Sequence, residues 1–213
     1  MKASVLFWSI FSFFCYISAV AAEPPETCSY ETFVWNVARS RSVQHVKVHH
    51  SYHELDPEEI DPATGCTVCS EDQEYIQLPH MASFRICKNL APAVRTALSG
   101  LIASGEPVFE VIGYRVGKTR GRADENGNRT GFSNHSYGIA LDINPGMNGL
   151  YTNCYSFGVG CRLLRGGAWR PDKPGGLSAT SPIVEALKQA GFQWGGEIQG
   201  RQKDFMHFSP SGY

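Results

Sequence analysis

The sequence lacks an excess of charge of either sign. Its 213 residues carry 19 Lys and Arg against 20 Asp and Glu, which gives a formal net charge of −1. A nucleic-acid-binding protein usually shows a basic patch or stripe, so we expect no nucleic-acid partner. Internal repeats and low-complexity tracts are also lacking. The length and the 42% hydrophobic content suffice for one domain with a hydrophobic core and a small appendage.

Long apolar runs are lacking except at the N-terminus. There, Lys2 precedes an apolar run over residues 5–20 that ends in small residues, which is typical of a secretory signal peptide over residues 1–22. The run is short for a membrane-spanning helix, and the Glu-Pro-Pro that follows stops it, although an uncleaved anchor is the alternative. We therefore expect a secreted or periplasmic protein with no stable membrane insertion after the signal is cleaved.

The pattern of the seven cysteines predicts disulfides. Without Cys15 of the signal peptide, six remain: Cys28, Cys66, Cys69, Cys87, Cys154 and Cys161. An even number behind a signal peptide is typical of disulfides formed in an oxidising compartment. Cys154 and Cys161 close a short Gly-containing loop and are the best local pair. The Cys66-x-x-Cys69 motif is alternatively a redox or zinc pair, but a matching second pair is lacking, which favours structural disulfides.

The chain after the signal divides into an N-terminal extension, residues 23–75, and a main domain, residues 76–213. Within the extension, residues 42–49 alternate between apolar and polar side chains and predict a strand. Its polar side continues into a His-rich patch formed by His45, His49, His50 and His53. This patch is either a second metal site or, as we favour, a solvated strand face.

Periodicity and turn residues predict the remaining elements. Helices are expected over residues 90–104 and from Ser181-Pro182 to Gly191. Strands are expected over residues 108–114, 139–144, 192–194 and 205–208. Two Gly-rich segments, residues 117–130 and 147–176, are expected to be loops. Because helices and short strands do not alternate as regular βαβ units, the predicted class is α+β.

Two short pieces of the main domain carry residue types that suit a catalytic metal. The stretch from Ser133 to Asn144 holds His135 and Asp142, seven residues apart, and His207 lies near the C-terminus. Two imidazoles and one carboxylate can bind one zinc and leave a coordination position open for water. His135, Asp142 and His207 are therefore the candidate metal ligands. The alternative is that each is an ordinary hydrogen-bonded polar residue.

A general base is also required, because the water bound by a catalytic zinc must be positioned and must lose a proton. Asp204, three residues before His207, is the candidate. Positions three apart on a regular strand point to opposite faces. We therefore predict a bend or bulge between Asp204 and His207.

These pieces resemble a known family. The motif Ser133-x-His135-x-x-Gly138-x-Ala140-x-Asp142 resembles the SxHxxGxAxD signature of the zinc D-Ala-D-Ala peptidases of the VanX/VanY type. Asp204-x-x-His207 resembles the second motif of their endolysin-like branch, the CwlK-like L-alanyl-D-glutamate peptidases. Residues 143–145 and 194–196 also match, and the resemblance covers roughly residues 85–208.

The resemblance implies the fold shared with Hedgehog signalling domains, in which helices and a central antiparallel sheet surround a zinc cleft. It implies Zn²⁺ as cofactor and hydrolysis of peptide bonds in peptidoglycan stem peptides, by a D,D-carboxypeptidase or an L,D-endopeptidase. Peptidoglycan-derived peptides would then be the partners. A non-catalytic zinc or interaction module of the same fold is the alternative function, and a disulfide-stapled domain without metal is another.

The resemblance also implies roles in substrate binding. Arg115, in Gly113-Tyr114-Arg115, would steady the scissile carbonyl or a substrate carboxylate by charge-assisted hydrogen bonds. Arg120 is a rival for this role, because the segment after Arg115 departs from the spacing of the family. Ser133 would contact the substrate or orient a metal ligand.

Overall fold

The computed structural model describes residues 23–213, so the predicted signal peptide lies outside the described residues. This part of the chain contains two α-helices, α1 (Ala91–Ala103) and α2 (Pro182–Gln189). Its strands are β1 (Thr27–Asn36), β2 (Arg41–Ser51), β3 (Gln73–Ile76), β4 (Phe84–Cys87), β5 (Val111–Ile112), β6 (Lys118–Ala123), β7 (Arg129–Phe132), β8 (Leu141–Ile143), β9 (Leu150–Thr152), β10 (Arg162–Arg165), β11 (Gln193–Trp194), β12 (Gln202–Asp204) and β13 (His207–Ser209). This mixed, sheet-rich composition agrees with the predicted α+β class. No helix among these residues has the length and apolar character that a membrane span requires.

A four-stranded sheet in the order β11-β13-β8-β5 forms the centre of the main domain, and all its neighbouring strands are antiparallel. Every residue of β8 is buried, because a strand lies on each side of it and the core lies beneath it. The two helices pack on this sheet and complete the largest hydrophobic cluster. The fully buried Leu98 of α1 and Leu187 of α2 belong to this core.

The predicted helices are present with nearly the predicted bounds. In α1 the buried residues Ala91, Val94, Leu98 and Leu101 follow the spacing of one helical face. Pro182 begins α2 and Ser181 occupies the N-cap position, but the Ser181 hydroxyl donates to the Ser178 carbonyl instead of capping the helix. Gly191, with φ of +92°, follows the end of α2.

The expectation of a loop over residues 117–130 is wrong, because β6 and β7 form an antiparallel hairpin there. The Asp124 carboxylate accepts hydrogen bonds from the backbone N–H groups of Asn126 and Asn128 and so closes the turn. Val34 of β1 pairs in parallel with Lys118 of β6. The resulting sheet has the order β2-β1-β6-β7, so the N-terminal extension is joined to the main domain by backbone pairing.

Two other segments differ from expectation. The expected loop over residues 147–176 contains β9 and β10, which form a three-stranded sheet in the order β10-β9-β12. The strand expected over residues 108–114 is reduced to β5, because the Asn144 side-chain oxygen accepts the backbone N–H groups of Phe109 and Glu110. The strand predicted over residues 42–49 is confirmed as β2.

The cysteines form three disulfides, Cys28–Cys69, Cys66–Cys87 and Cys154–Cys161. The predicted local pair is confirmed. The two cysteines of the CxxC motif bond to different partners, so they make structural disulfides rather than a redox or zinc pair. The Cys66–Cys87 bond and the β3–β4 ladder both cross the predicted boundary at residue 75, and the division into two domains stays a prediction.

Candidate metal centre

Three side chains from three different elements converge at one buried point. His135 lies in the short 3-10 turn Asn134–Tyr137, Asp142 is the middle residue of β8, and His207 begins β13. The β8–β13 register sets His207 directly opposite Asp142. His135 Nε2 and His207 Nδ1 each lie 3.2 Å from Asp142 Oδ1. The three predicted ligands are thus brought together, and each of them is buried.

The hydrogen bonds around the imidazoles show that the donor set fits a metal cation. His135 Nδ1 lies 2.8 Å from the Gly113 carbonyl oxygen and donates to it, so Nε2, which faces Asp142, is the ring nitrogen available to a metal ion. Two electron-rich atoms at 3.2 Å require a proton or a metal cation between them. Within residues 23–213, the buried His207 Nε2 has no hydrogen-bond partner. Two imidazole nitrogens and one carboxylate oxygen are a ligand set typical of catalytic zinc sites.

Two glycines shape the chain around His135. Gly138 has φ of +64°, and a Cβ there would lie 1.9 Å from Gln73 Oε1 and 2.6 Å from the Cys87 nitrogen. Only glycine fits this turn, because the chain packs closely there and adopts a left-handed conformation. A Cβ at Gly113 would lie 2.1 Å from a carbonyl oxygen of β4. The absence of a side chain at Gly113 lets its backbone approach both β4 and His135.

Asp142 uses both oxygens of its carboxylate. Oδ1 faces the two histidines, and Oδ2 accepts a hydrogen bond of 3.0 Å from Arg115 Nη2. Burial alone would raise the pKa of Asp142, but His135 and His207 beside it hold that pKa well below its usual range. Asp142 is therefore a carboxylate at neutral pH, as a metal ligand must be.

The predicted bend between Asp204 and His207 is present. β12 ends at Asp204 and β13 begins at His207, and these strands belong to two different sheets. Gly195 connects them, because its N–H donates to the His207 carbonyl at 2.8 Å and its carbonyl accepts from the Asp204 N–H at 3.0 Å. A Cβ on Gly195 would lie 3.1 Å from the Asp204 Cβ and 3.2 Å from the His207 Cβ. The side chains of Asp204 and His207 therefore both lie against Gly195.

The environment of Asp204 suits proton transfer. Its Oδ1 atom is buried and, among the described residues, has no hydrogen-bond partner. Burial raises the pKa of Asp204 to about 7; nearby Asp142 adds to the rise, whereas His207 and Arg115 oppose it. A carboxyl with a pKa near 7 can both accept and release a proton at neutral pH.

The segment that holds most of this site is similar to a known family. Residues 126–210 match a family model described as D-alanyl-D-alanine carboxypeptidase. This segment is similar to that peptidase family. The match covers 85 of the 213 residues and includes all three candidate ligands and Asp204. No curated protein and no solved structure matches the chain.

The candidate centre lies in a cleft of about 870 Å³. The three residues that the resemblance assigned to substrate binding, Arg115, Arg120 and Ser133, all line this cleft. The Ser133 hydroxyl lies 3.2 Å from the Ser136 hydroxyl. The Arg120 guanidinium lies 5.4 Å from the centre of the Tyr213 ring.

Several residues of the cleft were not identified from the sequence. Trp35, Val37 and Ser40 come from the hairpin β1–β2 of the N-terminal extension, which lies outside the matched segment. Four more side chains come from the hairpin β6–β7, from β10 and from the C-terminal tail: Arg129, Arg162, Arg165 and Tyr213. Long-range strand pairing brings these residues to the site, and such pairing is not visible in the sequence. Their only signal there is their charge or aromatic character.

The His-rich patch of β2 does not form a second metal site. Within residues 23–213, the other candidate groups of metal-binding side chains all include Cys28, which is bonded to Cys69. His50 instead contacts Glu59, and His45 stacks on Phe33. This arrangement agrees with the favoured interpretation of a solvated strand face.

Arg115 is expected to stabilise the metal centre through Asp142. In Arg115→Gln, the hydrogen bond that orients the carboxylate is lost, and loss of such an outer partner typically lowers metal affinity about 10–100-fold. Competition between the protein and a fluorescent chelator for Zn²⁺ measures the effect. Arg122→Gln is the matched control, because Arg122 lies on β6 outside the cleft. Unchanged Zn²⁺ affinity with a raised KM would instead assign Arg115 to the substrate.

Proposed function

We propose that this protein is an exported zinc metallopeptidase that hydrolyses peptide bonds in peptidoglycan stem peptides. One observation carries the proposal: a buried donor set of two histidines and one aspartate shares a cleft with Asp204, a carboxyl whose pKa is raised to about 7. The match of residues 126–210 to D-alanyl-D-alanine carboxypeptidases supports the substrate class. The three disulfides support export, because disulfides form and persist in oxidising compartments outside the cytosol.

His135, Asp142 and His207 would hold the zinc and leave a coordination position open. When bound, zinc lowers the pKa of a water molecule and polarises a carbonyl group. Arg115 fixes Asp142 from the side opposite the histidines, through Oδ2. The Gly113 carbonyl fixes the tautomer of His135 through Nδ1. The protein thereby orients two of the ligands before the metal arrives.

Asp204 is the general base in this proposal. Its carboxylate accepts a proton from the attacking water, and its carboxylic acid returns that proton to the leaving amine. A pKa near 7 leaves both forms accessible during one cycle. Arg115, Arg120 and Ser133 line the cleft where the substrate would lie, and Arg115 retains donors beyond the one bound to Asp142. These arginines would bind the scissile carbonyl or a substrate carboxylate.

The proposed fold is that of the Hedgehog and D,D-peptidase group. Two helices packed on an antiparallel sheet that carries two of the metal ligands support this assignment. The cleft is compatible with either a D,D-carboxypeptidase or an L,D-endopeptidase. Mass spectrometry of digested peptidoglycan distinguishes them. A D,D-carboxypeptidase releases a terminal D-alanine, whereas an L,D-endopeptidase cuts within the stem peptide.

Asp204→Asn is expected to abolish most of the hydrolysis while the metal is retained. The amide keeps the shape of the carboxyl but cannot accept a proton, and general bases typically contribute about 10²–10⁴-fold to the rate. Cleavage of purified muropeptides is measured by mass spectrometry, and bound zinc by elemental analysis. Asp172→Asn is the control, because Asp172 is exposed and pairs with its exposed neighbour Lys173, outside the cleft. If zinc-loaded wild-type protein leaves every stem peptide intact, the proposed function is wrong.

Gly195→Ala is expected to separate the base from the metal ligands. The added methyl group would lie 2.4 Å from the Asp204 carbonyl oxygen, so β12 and β13 must move apart. Misplacement of reacting groups by about 1 Å can cost about 10²-fold in rate, which steady-state kinetics would detect. Gly100→Ala is the control, because nothing lies within 4 Å of its added Cβ and its helix should become more stable. Equal rates for both variants would contradict the role of Gly195.

A further inference from the structure

The cleft concentrates positive charge in a chain that has almost none in excess. Five of the twelve arginines line it, namely Arg115, Arg120, Arg129, Arg162 and Arg165. Of the 20 acidic residues, Asp142 and Asp204 alone line it. Both of these carboxyls already belong to the proposed metal centre. The cleft therefore carries more guanidinium groups than carboxyl groups.

Four of these guanidinium groups have no carboxylate partner. Within residues 23–213, Arg115 is the one cleft arginine that forms an ion pair, with Asp142. Arg120 lies over the Tyr213 ring, and Arg129 donates to the Gly121 carbonyl. Burial lowers the pKa of Arg120, whereas nearby Tyr213 and Asp204 oppose the shift. Arg120 is thus a partly dehydrated cation without a direct ion pair, and an anion that binds beside it would stabilise it.

Irregular strand pairing directs the arginines of β10 to the cleft. Arg162 and Arg165 are three residues apart and would point to opposite faces of a regular strand. The register between β10 and β9 shifts between Leu163 and Arg165, so an extra residue lies in β10. Both arginines consequently line the cleft. Arg165 and Asp204 pair with Leu150 of β9 from its two sides, so the three residues lie in one row across the sheet.

The hairpin β6–β7 supplies the second pair of unpaired arginines. Its register shifts on both sides of Arg120, and Arg120 and Arg129 both line the cleft. Arg122, on the same strand as Arg120, does not. The two pairs thus come from two separate sheets that meet at one site.

We propose that the cleft selects acidic peptides, whose free carboxylates near the scissile bond pair with these four arginines, over the same peptides in amidated form. The inference rests on the proposed function and specifies its substrate class. A planar guanidinium binds a carboxylate by two parallel hydrogen bonds, and an amide of the same shape cannot replace it. A cleft lined by charge of one sign also raises the local concentration of an oppositely charged substrate.

The remaining lining of the cleft favours a peptide over a phosphate polymer. Trp35, Val37 and Leu164 add apolar surface beside the arginines, and the volume of about 870 Å³ suits a short chain. A stem peptide offers carboxylates and apolar side chains together. A polyphosphate offers anionic groups without apolar ones and would leave that surface uncovered.

Peptide binding tests this inference. A labelled stem peptide with free carboxyl groups is compared with its fully side-chain-amidated form, by fluorescence anisotropy, on zinc-loaded Asp204→Asn protein, which does not consume the ligand. We expect the acidic peptide to bind about tenfold tighter or more at low salt. The preference should shrink at about 0.5 M salt, where the Debye length falls to about 4 Å.

The Arg162→Gln/Arg165→Gln and Arg120→Gln/Arg129→Gln variants should each lose most of the preference. The matched control Arg122→Gln/Arg170→Gln should retain it, because both residues are exposed and lie outside the cleft. Equal affinity for the two peptides, or tighter binding of polyphosphate than of the acidic peptide, would overturn the inference. Because binding is measured separately from cleavage, wild-type protein that binds the acidic peptide selectively but cleaves neither peptide would overturn the proposed function alone.

Discussion

The antiparallel pairing of β8 with β13 is the interaction on which the site depends. It sets His207 directly across from Asp142. A shift of one residue would turn His207 to the opposite face of the sheet and would leave Asp142 with one imidazole. The helices α1 and α2 stabilise this pairing by burying the core beneath the sheet. Gly138 positions His135 against the pair, and Gly195 positions Asp204 beside it.

The residues of the candidate centre could be predicted from the sequence because they are recognised by residue type and short spacing. His135 and Asp142 lie within one short stretch, and the bend before His207 follows from the two-residue period of a strand. The helices were predictable from their periodicity, and the Cys154–Cys161 bond from its short loop. These features depend on residues that are close in sequence, so they can be recognised without knowing which distant segments are in contact.

The walls of the cleft could not be predicted in the same way. The hairpin β6–β7 is polar and Gly-rich, and the Asn126-Gly127 dipeptide was the one signal of a tight turn. Trp35 reaches the cleft because β1 pairs with β6, a contact between residues far apart in sequence. Arg162 and Arg165 reach it through a bulge, which alternation along the strand does not reveal. Long-range pairing and bulges therefore decide what surrounds the metal centre.

We propose that His135, Asp142 and His207 together bind one metal ion beside Asp204. Anomalous diffraction at the zinc absorption edge, from crystals of zinc-loaded protein, tests it most directly. We expect one strong peak bounded by the two imidazoles and the Asp142 carboxylate, with the Asp204 carboxyl facing the same space. A peak at any other group of side chains, or zinc binding that survives replacement of His135 and His207 by alanine, would contradict it.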